Sequence, residues 1–216
     1  FDINKRKSIS DKKYINRATK GVYEFGSVFK TFTIAAGFDE KLIKPKQMFN
    51  NLEKKINCGG RTISEYDEDL SQNLSVEEIL INSGNIGSVR IGQKLGVEKI
   101  KNFLNQIGIL GNITFDITEI GTPIPFNWGK CKLLTVSFGH GITTTLLQLA
   151  KGYAIISNGG YDIKPTLVKG ENINYGKKRR VLSKDVSLKI NKILRRVVTE
   201  GTASLADVKG YDVGGK

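Results

Sequence analysis

A serine and a lysine three residues apart can make a nucleophile with its own base. The chain has such a pair in Tyr23-Glu24-Phe25-Gly26-Ser27-Val28-Phe29-Lys30, running into the apolar Thr31-Phe32-Thr33-Ile34-Ala35-Ala36. Glycine at 26 permits a tight turn, and the apolar spacing after Ser27 predicts a helix to about Phe38. Ser27 then opens a helix, with Lys30 one turn later on the same face. A hydroxyl attacks only when a base takes its proton, and a lysine amine serves only when burial or nearby positive charge lowers its pKa. The helix N-terminus adds N–H groups where an oxyanion would form. Ser10-Asp11-Lys12-Lys13 matches the same spacing but lies in a charged, aperiodic run and reads as a solvated segment.

The elements that must position this pair follow from caps and breaks. The stretch 1–22 reads as an extended, surface-lying approach, and Ile56 to Ile63 as a small hairpin turned by Gly59-Gly60. Ser75-Val76-Glu77-Glu78 is a capping box opening a helix from Val76 to about Asn82. A second helix runs from Ile86 to Leu95 with Gly96 as its stop, and a third from Val97 to Ile107, closed by Gly108. Ser83-Gly84-Asn85 therefore lies in a corner between helices, where both polar side chains can face a cleft; the plain alternative is that they cap helix ends. With two of the four prolines, 108–130 reads as a long irregular loop, with Trp128 packed on the domain. Thr145-Leu146-Leu147-Gln148 is another capping box, opening an apolar core helix through Ile156. His140, in a glycine turn, reads as structural. Residues 161–182 predict a two-strand excursion (163–168 and 180–182), with Lys177 to Arg180 at a solvated tip. Ser183 caps an amphipathic helix with Val186, Ile190, Ile193, Leu194, Val197 and Val198 inward, ending at Gly201. Thr202 to Val208 is a turn, and Tyr211 to Lys216 a strand just beginning.

Composition excludes some classes. The chain has 216 residues, ordinary apolar and charged content, and no apolar run that reads as a transmembrane segment. Its net charge of +13 is spread along the chain and carried mostly by lysine, which reads as compositional bias; no nucleic-acid partner is expected. Cys58, Cys131 and the single His140 have no metal spacing, so neither metal nor cofactor is expected; the two cysteines permit one disulfide, whose distance the sequence does not test, and read first as buried or idle thiols.

Ser-x-x-Lys at 27–30, Ser-Gly-Asn at 83–85 and a glycine-preceded lysine at 216 stand in the order known for serine β-lactamases and penicillin-binding proteins. Over nearly its whole length the chain resembles the transpeptidase domain of class B penicillin-binding proteins. Tyr23 to Lys30 is similar to the family's Tyr-Glu-Pro-Gly-Ser-Thr-x-Lys, with Phe25 where proline is usual. Asn82 to Gly87, Ser137 to Ile142, Leu147 to Ala150, Asn158-Gly159-Gly160, Gly201-Thr202-Ala203 and Gly210 to Lys216 resemble its later landmarks. Asn16-Arg17-Ala18 and Asn85 resemble the septal, cell-division type.

The resemblance implies an α+β penicillin-binding-protein/serine β-lactamase-like fold, here mainly its helical part with most sheet strands missing. It implies that residues 1–216 are a partial transpeptidase domain, incomplete at both ends, with Lys216 the lysine of Lys-Thr-Gly. Ser27 would be the nucleophile, Lys30 its base and Ser83 a proton relay, while Asn85 and Lys216 would bind substrate. The partners implied are peptidoglycan stem peptides ending in D-Ala-D-Ala, β-lactams and cell-division proteins. The full-length protein would be membrane-anchored at the periplasmic face of the inner membrane. The 216 residues alone are expected to be weakly stable or poorly soluble, and to acylate slowly or not at all. Two other functions fit the pattern: a serine β-lactamase or penicillin sensor of the same fold, and a non-catalytic interaction module of the division machinery. No Glu-x-x-Leu-Asn type loop for deacylation occurs between 85 and 216, which favours the transpeptidase.

Overall fold

Helix α1 (Lys30–Asp39) is buried on every side through Phe38, and the other helices are arranged around it. The computed structural model describes residues 3–5, 14–169 and 179–216. Phe32, Ile34, Ala35, Ala36 and Phe38 of α1 carry the centre of the core. Burying such side chains contributes roughly 1.5–3 kcal/mol each for the large ones. Around α1 pack α2 (Val76–Ile81), α3 (Asn85–Gln106) and α6 (Lys184–Glu200). Helices α4 (Lys130–Val136) and α5 (Leu146–Ser157) close the remaining sides against α3 and α6 respectively.

The caps act as the sequence indicates. Ser75 and Glu78 form a reciprocal capping box on α2, Thr145 and Gln148 another on α5, and the Ser183 hydroxyl accepts from the Val186 N–H at the start of α6. Helix α3 is two helices joined at Gly96, whose backbone (φ 75°, ψ 170°) leaves the helical region, in keeping with the stop expected there. On α6 every residue expected to face inward is buried.

Among the described residues the strands form three two-stranded antiparallel ribbons, so the fold is α+β with helices dominant. β1 (Val22–Tyr23) pairs with β6 (Thr144–Thr145), Val22 opposite Thr145, just before the Ser27 turn. β2 (Met48–Phe49) pairs with β5 (Leu74–Ser75) at the entry to α2. β3 (Lys55–Cys58) and β4 (Arg61–Ser64) form the expected hairpin, turned by Gly59 and Gly60 at positive φ.

Several expectations need correction. Cys58 and Cys131 are not idle thiols: they form a disulfide, with Cα atoms 5.5 Å apart, that ties the hairpin tip to the first turn of α4. A separation of 73 residues hides such a pairing from sequence spacing. The apolar α5 is only partly buried, with Leu146 41% exposed, and α1 takes the central position instead. No strand forms at 163–168, and only an isolated bridge joins Tyr161 and Arg180. No strand is assigned at 211–216 either, where the Gly215 N–H donates to the Leu194 carbonyl of α6 rather than to a neighbouring strand. The Ser10 to Lys13 motif, with the rest of residues 1–2 and 6–13, and Lys177-Lys178 at the predicted tip lie outside the described residues. No helix among the described residues is long and apolar enough to cross a membrane.

Candidate active site

Ser27 lies in a short 3₁₀ turn, Gly26–Phe29, that runs directly into α1. Gly26 enters this turn at φ 58°. A second glycine presses on it from outside: a Cβ on Gly139, at the end of the α4 segment, would lie 1.8 Å from the Gly26 carbonyl oxygen. The turn is also held from α5. The Tyr153 hydroxyl donates to the Val28 carbonyl at 3.0 Å, which leaves the Thr31 hydroxyl, 2.9 Å away, to donate to the Tyr153 oxygen. Burial pushes the Tyr153 phenol up to about 12, so it stays protonated and keeps donating.

Lys30 is completely buried, and its ammonium points toward the corner between α2 and α3. It donates to the Ser83 hydroxyl at 3.1 Å and to the Ser83 carbonyl. Ser83 presents both oxygens because its backbone is left-handed, φ 60°, an unusual conformation for a residue other than glycine. Burial, and then the charge of Lys216, bring the Lys30 amine down to about 7, with Glu65 acting the other way. Lys216 is itself lowered to about 8 by burial and donates to the Thr202 hydroxyl at 2.9 Å. Asn85 opens α3; its side-chain amide donates to the Ser64 carbonyl at 2.8 Å, which fixes the orientation of the side chain.

Ser27, Lys30, Ser83, Asn85 and Lys216 all line one open cleft of about 1060 Å³. The five residues singled out from the sequence thus converge, although 189 positions separate the first from the last (216 − 27). His140, read as structural, is also on the cleft wall, where its Nδ1 lies 2.6 Å from the Glu24 carboxylate. Two further residues escape sequence reasoning. Tyr153 shows no more than an apolar helix position, and Glu65 follows a four-residue strand in a stretch without sustained periodicity. Among the described residues no group of His, Cys, Asp or Glu side chains could hold a metal ion.

A buried, partly neutral amine beside one hydroxyl, in the same cleft as an exposed serine at a helix start, is the equipment of serine acyl transfer. The profile described as the penicillin binding protein transpeptidase domain matches residues 1–216, and the chain belongs to that family. It is 31% identical over 223 residues to the probable peptidoglycan D,D-transpeptidase FtsI of Caulobacter vibrioides, covering all of this chain and 37% of that protein. To the stage V sporulation protein D of Bacillus subtilis it is 30% identical, over 90% of this chain and 32% of the other. A crystal structure of a peptidoglycan glycosyltransferase from Burkholderia ambifaria superposes with a TM-score of 0.87 at 25% identity, over 95% of this chain and 66% of that one. The transpeptidase domain of Burkholderia pseudomallei penicillin-binding protein 3 gives 0.85 at 26% identity, over 92% and 61%. The chain spans about a third to a half of the length of the curated relatives it matches.

Proposed function

We propose that the full-length protein is a serine D,D-transpeptidase that cross-links peptidoglycan stem peptides and is acylated by β-lactams. The observation that carries this reading is the Lys30 amine: buried, lowered to about 7 and bonded to Ser83 in the cleft that Ser27 lines. A neutral Lys30 takes the proton of the Ser27 hydroxyl as Oγ attacks the carbonyl of the penultimate D-alanine. N–H groups at the start of the Ser27 helix favour the oxyanion of the tetrahedral intermediate. As the carbon–nitrogen bond breaks, the proton held by Lys30 passes through the Ser83 hydroxyl to the departing D-alanine amine. An ester on Ser27 remains. The amine of a second stem peptide attacks that ester, its proton returns through the same pair, and Ser27 is released with a new amide formed. Asn85 hydrogen-bonds the substrate amide, and the Lys216 ammonium meets the terminal carboxylate of the donor peptide.

The site works at the outer face of the inner membrane, in septal wall synthesis and in company with cell-division proteins. The likeness of Asn16-Arg17-Ala18 and Asn85 to the septal type supports that role, and the Cys58–Cys131 disulfide fits an oxidising compartment. Mass spectrometry of the penicillin-treated full-length protein tests the assignment: one adduct on Ser27, absent in Ser27→Ala. An adduct on any other residue rejects it.

A further inference from the structure

The N-terminus of α3 is capped from outside its own chain segment. Gly84, at the cap position, has no side chain, and the first N–H groups of a helix need acceptors. Glu65, the residue after β4, supplies them: one carboxylate oxygen accepts from the Asn85 N–H at 2.5 Å and the other from the Ile86 N–H at 2.8 Å. The preceding residue, Ser64, receives the Asn85 side-chain amide. The end of β4 thus grips Asn85 by backbone and side chain together. The hairpin behind it is pinned to α4 through Cys58 and Cys131.

We infer that Glu65 is a positioning residue of the acylation site, holding the Ser83-Gly84-Asn85 corner in register with Lys30. This rests on the transpeptidase reading above. Ser83 lies two residues before the capped N–H and accepts from Lys30 with both of its oxygens. A shift of the α3 N-terminus therefore moves the partner of the base. The charge acts separately. Besides Glu65, the cleft is lined by Lys30, Lys216, Asp67, Glu68, Glu200 and the titratable Tyr66 and His140, and after burial Lys216 and then Glu65 act most strongly on Lys30. Glu65 favours the ammonium form, so it keeps part of the lysine protonated near neutrality.

The two roles separate in Glu65→Gln and Glu65→Asp variants of the full-length protein. The measurement is the second-order rate of Ser27 labelling by a fluorescent penicillin between pH 5 and 9, with melting temperature recorded alongside. Glutamine offers one acceptor oxygen and no charge, so the plateau rate falls roughly ten-fold and the acid limb moves to lower pH. Aspartate keeps the charge but reaches less far, so its plateau falls while its limb stays in place. A Glu65→Gln plateau equal to wild type overturns the inference, whatever the melting temperature, and an unmoved acid limb removes the role of its charge. Should that variant not fold, a wild-type plateau in Glu65→Asp overturns it equally. Failure of the wild type to label at Ser27 sinks the transpeptidase reading instead, so the two failures are distinct.

Discussion

Lys30 Nζ lies 3.1 Å from Ser83 Oγ, across a gap of 53 positions in the chain. The contact joins the most buried helix to the corner between two others, and it places a hydroxyl beside an amine that water cannot reach. Desolvation disfavours the ammonium, and Lys216 in the same cleft disfavours it further. The amine is thereby brought close to the pH at which a base is useful.

The pH dependence of acylation follows from this. Lys30 accepts a proton only when neutral, so the rate should be half-maximal near pH 7 and fall below it. Replacing Lys30 by methionine removes the base and should reduce the rate by roughly 10²–10⁴-fold. An acid limb below pH 5 would disprove Lys30 as the titrating group.

Lys216 should move that limb opposite to Glu65. Its charge lowers the Lys30 pKa, so Lys216→Ala should raise that pKa and displace the acid limb to higher pH. The same variant should weaken binding of carboxylate-bearing β-lactams. Rate profiles for a penicillin across pH measure both effects, and an unmoved limb argues against electrostatic contact between the two lysines.

Gly139→Ala tests the support of Ser27, the proposed nucleophile. Its Cβ would meet the Gly26 carbonyl, and its φ of 87° is strained for alanine. The cost should be roughly 2–3 kcal/mol. Denaturant unfolding should show the loss, and Ser27 labelling should fall more steeply than the folded fraction because the turn itself is displaced.

Tyr153→Phe removes one oxygen from the same turn. The Val28 carbonyl loses its donor and the Thr31 hydroxyl its acceptor. The expected loss is about 1–2 kcal/mol of stability, read from thermal unfolding, with a slower acylation rate. A double change with Thr31→Val should be less than additive, since both act on one network.

Reduction of Cys58–Cys131, or its replacement by serine pairs, should lower stability by up to roughly 4 kcal/mol for a loop of this length. The hairpin should loosen first. Hydrogen exchange over 55–64 after reduction, compared with exchange over α1, measures this; equal change in both segments would contradict it.

Much of the machinery is legible in the amino-acid sequence because it depends on local rules. A glycine before a serine, an apolar helix after it, reciprocal caps at Ser75 and Thr145 and a glycine stop at 96 each concern neighbouring residues. The order of the three motifs then indicated the family, and with it Ser27, Lys30, Ser83, Asn85 and Lys216. Other features depend on approach through space. No spacing rule pairs Cys58 with Cys131, brings Tyr153 to the Val28 carbonyl or sends the Glu65 carboxylate to a helix start 20 residues ahead. The strands expected at 163–168 and 211–216 failed to form for a related reason: a strand exists only where a partner edge lies beside it, which both stretches lack among the described residues. Sequence determined which side chains are the candidates for the proposed chemistry; packing around α1 decided that they meet in one cleft and how they are held, because burial and convergence are properties of the assembled core.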